Sequence, residues 1–297
     1  RLDSEAAAAA IDRHIAGQLG ISVEEAAEAI IRVANAKMAG AIRLISIERG
    51  HDPKRFAAMP FGGGGALHAG ALVREIGLAA AIVPRFPGVN SALGCVMSDL
   101  RHDEVRTLNR MLDTLDCEAL TAMIAEITAS SEEVIKRSKA SIDGLEAVIE
   151  LDMLYLGQTH AVAVPLPVSD NGITTEAIRA AFDASYRRIY GRLLENIPVR
   201  VLNLRLSVIG KRPEVDIASL ARGERAASAD DCHLADQKIF AGGQWHDGAI
   251  IDRLRLPAGA VVNGPCLLVQ PDATIYVDPG LAARVDDLGN IIIKEQE

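Results

Sequence analysis

The sequence predicts an α/β fold that continues into an α+β segment and ends in a small β-rich module. Three observations support this prediction. Signals for helix, strand, glycine loop, helix and strand alternate between residues 1 and 106, and such alternation is typical of α/β folds. Residues 107–210 combine two helical patterns with several strand patterns. Residues 211–297 hold short apolar runs separated by Asp, Gly and Pro. We take these three ranges as the predicted domains.

Composition narrows the possible functions before any motif is considered. Of the 297 residues, 49% are apolar and 24% are charged, as expected of a soluble globular protein. Aromatic residues make up only 3%, and 40 acidic residues against 31 basic ones give a net charge of −9. Few stacking side chains and a negative charge argue against nucleic-acid and membrane partners. The four cysteines form no C-x-x-C pair, so we expect reduced thiols and a cytoplasmic protein.

The first zone contains a long helix followed by a strand. Ser22 and Glu25 have the spacing of a capping box, in which each side chain accepts a hydrogen bond from the other residue's backbone amide. Gly50 and Pro53 end the helix, which gives it about 28 residues and a length of roughly 42 Å. The strand is predicted over residues 56–61. The helix is inferred from apolar residues at helical spacing, namely Ala26, Ala27, Ile30, Ala34, Met38, Ala41, Ile42 and Ile45.

A glycine-rich junction follows that strand. Its four consecutive glycines are Gly62, Gly63, Gly64 and Gly65. They lead into a second helix, predicted over residues 66–76 and ended by Gly77. Residues 79–83 form the next predicted strand, and residues 87–94 a second loop bracketed by glycine.

The middle zone is predicted to contain two helices and three strands. Apolar spacing predicts one helix through residues 115–127 and another over residues 175–194. Two strands, over residues 147–155 and 161–168, would form a hairpin. A third strand is predicted over residues 201–208. One face of it would carry Leu202, Leu204, Leu206 and Val208.

The four glycines are the clearest candidate for a binding site. Without a β-carbon the main chain can approach a ligand closely, and the N-terminus of the following helix favours an anion. The segment lacks the Lys-Ser/Thr of a Walker loop and the spacing of a G-x-G-x-x-G fingerprint. Contact with a nucleotide or phosphate therefore stands beside a second interpretation, a tight turn that needs positive φ angles.

Two further residues could belong to this site. His68 falls in the first turn of the second predicted helix, where it could donate a hydrogen bond to a ligand or pack against the neighbouring strand. Asn35 lies among apolar neighbours on the long helix, and a buried amide there needs a hydrogen-bond partner. No catalytic residue is identified.

Two clusters of polar residues lie elsewhere in the chain. Asp99, His102 and Asp103 could bind a metal ion, but a solvated turn is the commoner outcome, and we predict no metal site. The second cluster follows a predicted strand and could line a pocket or form a hydrogen-bond network. It comprises Asp152, Tyr155, Gln158 and His160.

Longer stretches of the sequence carry a family resemblance. They are residues 30–50, Asp52-Pro53, residues 61–69, residues 91–94 and residues 99–103. In these stretches the chain resembles the hydantoinase A/5-oxoprolinase family, which also includes acetone carboxylase subunits. Weaker matches extend the resemblance over nearly the whole chain. The family usually has Pro, Arg and an acidic residue at or near the positions of Ala66, Leu154 and Arg200.

The resemblance implies an actin-like ATPase fold of the hexokinase and Hsp70 kind, with the glycine turn on the adenosine side of an ATP site. ATP and Mg²⁺ are the implied cofactors. The predicted cofactor-binding residues are Gly62, Gly63, Gly64, Gly65, His68 and Asn35. The resemblance also implies that the chain is the C-terminal part of a longer subunit, because the family's N-terminal Asp/Gly/Thr phosphate loop has no counterpart here.

The implied function is ATP-dependent hydrolysis of cyclic amides, of the hydantoinase/5-oxoprolinase type, with this part of the subunit inactive alone. The implied partners are a cyclic amide substrate and a second, B-type subunit or domain within an oligomer. Two alternatives remain open. One is an acetone-carboxylase-type subunit that phosphorylates a ketone-derived enolate. The other is a non-catalytic assembly module that docks a partner through its β-rich end.

Overall fold

A computed structural model of the chain describes residues 3–167, 172–221 and 223–296. The chain forms two compact units. Unit 1 comprises Arg1–Val96 and Asp216–Glu297, and unit 2 comprises Met97–Val215. Within the described ranges, no helix is long and apolar enough to cross a membrane.

The regular elements are numbered in chain order. The α-helices are α1 (Ser4–Ile11), α2 (Gly17–Leu19), α3 (Val23–Ile45), α4 (Ala69–Ile76), α5 (Asn90–Met97), α6 (Cys117–Arg137) and α7 (Thr175–Tyr190). The first strands are β1 (Ala57–Ala58), β2 (Ala80–Val83), β3 (Leu100–Met111), β4 (Gly144–Tyr155), β5 (Val162–Pro165) and β6 (Val199–Lys211). The last are β7 (His233–Ala241), β8 (Gln244–Asp252), β9 (Val261–Asn263), β10 (Cys266–Gln270), β11 (Ala273–Val277), β12 (Leu281–Val285) and β13 (Ile291–Glu295).

Unit 1 is built on two sheets. The first has the strand order β1-β2-β13-β12-β9, in which β1 and β2 run parallel and the other pairs are antiparallel. The second has the order β11-β10-β8-β7, in which β10 and β8 run parallel. Helix α4 packs against β2 and β11. Apolar residues of both sheets and of α4 therefore share one core, which includes Val73, Val83, Ile275 and Ile293.

A buried arginine joins distant segments of unit 1. Arg253 is only 3% exposed, and its guanidinium donates to the backbone oxygens of Val83 (3.3 Å), Pro84 (2.6 Å) and Gly289 (3.3 Å). Burial, and then the nearby charge of Arg85, lowers the pKa of Arg253 to about 10. The side chain thus satisfies carbonyl groups that a folded core would otherwise leave without donors.

Unit 2 is one antiparallel sheet with two packed helices. Its strand order is β3-β6-β4-β5, and α6 and α7 contact this sheet through their apolar faces. Tyr155, Phe182 and Tyr186 meet inside the core, with Tyr155 edge-on to both of the other rings at centroid distances of 5.0 and 4.8 Å.

The units divide the chain differently from the three predicted zones. Predicted boundaries at residues 106 and 210 lie near the edges of unit 2, but the first and third zones fold together as unit 1. The reason is visible in the sheets, because β13 pairs with β2 and so places the end of the chain beside a strand of the first zone. The sequence gives no sign of this pairing between distant segments.

Several predicted elements need correction in unit 1. The long helix ends at Ile45, before the short 3₁₀ turn Ile47–Arg49 and Gly50, whose φ is +81°. The strand predicted over residues 56–61 is only the two residues of β1. Residues 87–94, predicted as a loop, form the 3₁₀ turn Pro87–Val89 and the start of α5. Short elements like these depend on packing that a single-sequence pattern does not contain.

The strands predicted in unit 2 are present, but the sheet has an additional strand and the bounds of the predicted strands differ. Strand β3 was not predicted at all, and β6 is longer than the predicted residues 201–208. A bulge in β6 skips Leu202, because Asp152 pairs with Asn203 while Met153 pairs with Val201. Leu202 is therefore half-buried instead of sharing a face with Leu204, Leu206 and Val208. Val168, the predicted end of the hairpin, lies outside the described residues.

Candidate functional site

The glycine loop links β1 to a short helical turn in unit 1. Gly62 has a φ of +88°, a left-handed conformation that a residue with a β-carbon adopts only with strain. Its amide donates to the carbonyl oxygen of Pro87 at 2.6 Å. The turn that follows is a 3₁₀ helix, Gly65–His68, and α4 begins only at Ala69. The amides near this bend therefore belong to the loop and the 3₁₀ turn, and not to the N-terminus of an α-helix that begins at Ala66, as predicted.

The middle of the loop leaves its main chain open. A β-carbon placed on Gly64 would meet no atom within 4 Å, and one on Gly63 would meet only the carbonyl oxygen of Asp272 at 3.8 Å. Among the described residues, the amides of Gly63 and Gly64 donate no backbone hydrogen bond. Phe61 and Leu67, on either side, are 50% and 40% exposed. The loop thus offers two unused amides between two exposed apolar side chains.

A second glycine segment and an acidic turn lie against this loop. The amide of Gly88 donates to a carboxylate oxygen of Asp272 at 2.9 Å. A β-carbon on Gly88 would collide with Asp272, so only glycine allows this approach. Asp272 stands in the turn between β10 and β11, some 200 residues from the glycine loop. Sequence reasoning missed it, because an aspartate in a hairpin turn gives no signal beyond the turn itself.

Asn35 and His68 contact each other. The side-chain oxygen of Asn35, on α3, lies 2.6 Å from Nδ1 of His68. An amide oxygen can only accept, so Nδ1 of His68 is the donor in this contact. The pair ties α3 to the turn that follows the glycine loop. It gives the buried Asn35 the partner that its position requires.

Asn35 also lines a cavity of about 500 Å³ within unit 1. Glu28, Arg74, Tyr276 and Asp278 are on its wall. The hydroxyl of Tyr276 and one carboxylate oxygen of Asp278 are buried, and neither has a hydrogen-bond partner in the described part of the chain. Burial is the main cause that raises the pKa of both groups, and Arg74 partly opposes it. The glycines do not line this cavity.

In the first of the two other polar clusters, both aspartates accept hydrogen bonds from neighbouring residues of the protein. Asp99 accepts from Lys211 and from the amide of Arg212, while Asp103 accepts from Ser207 at 2.5 Å and from Arg101. These hydrogen bonds lower the pKa of both carboxyl groups. Residues 3–167, 172–221 and 223–296 contain no group of three or more His, Cys, Asp or Glu side chains placed to hold a metal ion.

Three of the four polar residues near the end of β4 make hydrogen bonds within unit 2, in separate groups. Asp152 accepts from Asn203 and Arg205 at 2.8 Å, and Gln158 donates to the hydroxyl of Tyr186 at 2.7 Å. For Asp152 and Gln158, these contacts favour hydrogen bonding over a pocket, the two interpretations that the sequence left open.

Family models match nearly the whole chain. Residues 1–104 match the family described as hydantoinase/oxoprolinase, and residues 110–295 match the hydantoinase/oxoprolinase C-terminal domain. The chain belongs to the hydantoinase/oxoprolinase family. The resemblance drawn from the sequence is therefore confirmed.

Relatives within this family include a caprolactamase subunit and a 5-oxoprolinase. Over 290 residues the chain is 31% identical to the caprolactamase subunit alpha of Pseudomonas jessenii, and the match covers 96% of this chain and 42% of that protein. The crystal structure of ATP-dependent caprolactamase from the same organism gives a TM-score of 0.69 at 29% identity, over 100% of this chain and 44% of the other. The 5-oxoprolinase 1 of Arabidopsis thaliana is 27% identical, over 92% of this chain and 21% of that protein.

A nucleotide-free structure of acetone carboxylase, from work on ATP-dependent acetone carboxylation, gives a higher TM-score of 0.80. It covers 100% of this chain and 43% of the other at 23% identity, so this likeness concerns the fold. The chain spans less than half the length of the curated relatives it matches. The actin-like ATPase fold itself stays a prediction.

Proposed function

We propose that this chain is the nucleotide-holding C-terminal part of an ATP-dependent hydrolase of cyclic amides. The observation that carries the proposal is the open main chain at Gly63 and Gly64. Two amides without backbone acceptors among the described residues, with no β-carbon in front of them, suit close contact with a nucleotide. Both structural relatives, acetone carboxylase and caprolactamase, are ATP-dependent enzymes, which agrees with this proposal.

The surroundings of the loop suit the nucleoside end of ATP. Phe61 and Leu67 supply exposed apolar surface on which a purine base could lie. The hydrogen bonds of Gly62 to Pro87 and of Gly88 to Asp272 hold the loop in one shape before a ligand arrives. Such preorganisation reduces the entropy that binding must overcome. In this proposal Asn35 and His68 act as positioning residues for the turn behind the loop.

The described residues suit Mg²⁺ less well than they suit a nucleotide. The described residues bring no three acidic or histidine side chains together, so we derive no step from Mg²⁺ and expect its ligands on another part of the enzyme. We also expect the residues that act on the lactam to lie on another part of the enzyme.

The chemistry explains why a lactam hydrolase would use a nucleotide. An unstrained cyclic amide is resonance-stabilised, and water attacks its carbonyl carbon slowly. Bound ATP would supply the phosphoryl group that turns the carbonyl oxygen into a leaving group. The task of this chain is then to hold the nucleotide in register with the substrate, since orientation provides much of the acceleration in phosphoryl transfer. Ring opening would take place with a second subunit or domain.

The glycine loop can be tested with one substitution and a matched control. Gly64 has φ −109° and free space around it, so Gly64→Val should fold normally and block only the approach of a ligand. Gly144, at the start of β4, likewise has no atom within 4 Å, which makes Gly144→Val the control. In calorimetric titration of the subunit with ADP, we expect Gly64→Val to weaken binding about tenfold or more. Equal affinities for all three proteins would refute the assignment of the loop.

A ketone carboxylase subunit is the second candidate. The TM-score of 0.80 indicates that this chain shares its fold with acetone carboxylase. In both candidate reactions an oxygen atom of the substrate would be activated. ATP hydrolysis measured with 5-oxoproline, hydantoin, caprolactam, or acetone with bicarbonate separates them. Stimulation by a cyclic amide supports the hydrolase, and stimulation only by acetone with bicarbonate supports the carboxylase.

A further inference from the structure

A linear network of hydrogen bonds in unit 1 runs from a buried arginine to the second glycine segment. The guanidinium of Arg253 donates to the side-chain oxygen of Gln270, at the end of β10. The side-chain amide of Gln270 donates in turn to one carboxylate oxygen of Asp272. The other carboxylate oxygen of Asp272 accepts from the amide of Gly88 at 2.9 Å. Three consecutive hydrogen bonds therefore connect the buried guanidinium with the main chain at Gly88.

Arg253 gives this network a fixed starting point. Its side chain is buried, and the planar guanidinium has a rigid arrangement of donors. The other acceptors of this guanidinium are backbone oxygens near the end of β2 and just before β13, which belong to Val83, Pro84, Arg85 and Gly289. Gln270 also donates to the carbonyl oxygen of Arg85, at 3.2 Å. The first two members of the network are thus held by the backbone around them.

At its other end the network reaches both glycine segments through Asp272. A β-carbon on Gly88 would collide with Asp272, and one on Gly63 would lie 3.8 Å from the carbonyl oxygen of Asp272. The residue before Gly88 is Pro87, whose carbonyl oxygen accepts from the amide of Gly62 at 2.6 Å. The place of Asp272 therefore constrains the bend that carries the open amides of the glycine loop.

The order of donors and acceptors restricts which side chains can form this network. The guanidinium of Arg253 and the amide of Gly88 can only donate. The two side chains between them must offer an acceptor to each end and a donor to one another. An amide beside a carboxylate meets this requirement. Two carboxylates in contact would repel, and two amides would leave one donor facing another. Gln270 and Asp272 are such an amide and carboxylate pair.

We propose that Gln270 and Asp272 are positioning residues that hold the glycine loop in the shape that receives a nucleotide. This inference rests on the proposed function of the loop. In this role the two residues act through Gly88 and Gly62, and the contact with the ligand is made by the main chain. A site whose shape is fixed by such supporting hydrogen bonds loses less entropy when it binds.

A pair of substitutions and their combination test the proposal. Asp272→Asn leaves two amides in contact, and Gln270→Glu leaves two carboxylates in contact, so each should weaken the binding of ADP by the subunit about tenfold in calorimetric titration. In the double variant the amide and the carboxylate exchange places, and every donor again meets an acceptor. Its affinity should return to within about threefold of the wild type. Asp287→Asn, at an exposed turn of unit 1, is the control for loss of a carboxylate.

Hydrogen exchange without ADP measures the order of the loop directly. The peptide that contains Gly62 should exchange about tenfold faster in each single variant and at the wild-type rate in the double variant. Peptides of α4 should not change in any of them, which excludes general unfolding. A merely structural role of the pair would alter α4 and the loop alike.

The outcomes separate this inference from the proposed function. If Gly64→Val loses ADP binding but the two single variants do not, the positioning role is overturned and the nucleotide site stands. A double variant as weak as the single ones, or unchanged exchange at Gly62 in the single variants, also overturns the positioning role. If the wild type does not bind ADP, or Gly64→Val binds it equally well, the proposed function itself fails.

Discussion

Units 1 and 2 differ in how completely their long helices bury apolar residues. In unit 2, α6 turns Leu120, Ile127 and Ile135 to the core and leaves acidic and basic residues outside. In unit 1, α3 buries only Ala26, Asn35 and Ala39 and exposes large apolar residues. The apolar stripe of α6 thus lies in the core of its own unit, whereas α3 leaves large apolar residues exposed beside its few buried ones. Unit 1, which contains the exposed apolar residues of α3, also contains every predicted binding residue.

The first test of this comparison is the truncation of one side chain to alanine in each unit. Phe182 is fully buried between Tyr155 and Tyr186, so Phe182→Ala should lower the free energy of unfolding of unit 2 by about 3–5 kcal/mol. Val33→Ala, on the exposed side of α3, should change that of unit 1 by less than about 0.5 kcal/mol. Urea unfolding followed by hydrogen exchange of α7 and α3 peptides measures both. Similar losses in the two units would remove the contrast.

The second test concerns the contact between Asn35 and His68. Asn35→Leu keeps the size of the side chain but leaves the half-buried ring of His68 without its partner, so we expect a loss of about 1–2 kcal/mol in the stability of unit 1. Thermal unfolding of the variant and of the exposed control Asn263→Leu measures the difference. If Asn35→Leu is no worse than the control, the hydrogen bond contributes nothing and His68 is held by packing alone.

The third and smallest test uses the buried carboxyl group of Asp278. Burial raises its folded-state pKa above the ordinary value of 3.8. Between those two pKa values the folded protein binds a proton that the unfolded chain has released, so stability falls as pH rises through this window and stays lower at neutral pH. An asparagine side chain cannot ionise. Asp278→Asn should therefore raise stability at pH 7 by on the order of 1 kcal/mol, and by less at pH 4.

Urea midpoints at the two pH values measure this effect, with Asp287→Asn, at an exposed turn, as the control. A gain of equal size at both pH values would mean that the benefit of the Asp278→Asn substitution comes from something other than ionisation.

Much of the local structure follows from the sequence because its causes are local. The capping box at Ser22 and Glu25 forms as predicted, with both hydrogen bonds present at 2.8 and 3.1 Å. Gly77 ends α4 in the left-handed conformation that glycine adopts without strain. The β-rich pattern after residue 211 becomes β7 to β13. In each case the deciding residues lie within a few positions of one another.

The candidate site was predicted only in part, for the same physical reason. Four glycines in a row indicate a close approach of the main chain. The sequence did not predict that Gly62 binds Pro87 or that Gly88 rests on Asp272, because partners 25 and 184 residues apart leave no periodic trace. Arg253 was also missed, since most of its acceptors are backbone oxygens, and its side-chain acceptor, Gln270, carries no opposite charge that would mark the pair in the sequence.

By itself, then, the sequence determined the start of α3 at its capping box, the end of α4 at Gly77, the glycine bend and the kinship of the chain, all of which rest on short runs of residues. Only the tertiary structure decided that the two ends of the chain share one core, that Asn35 and His68 meet, and that large apolar residues of α3 stay exposed. Burial and long-range pairing depend on which segments come together in space, and that choice is made by the whole fold at once.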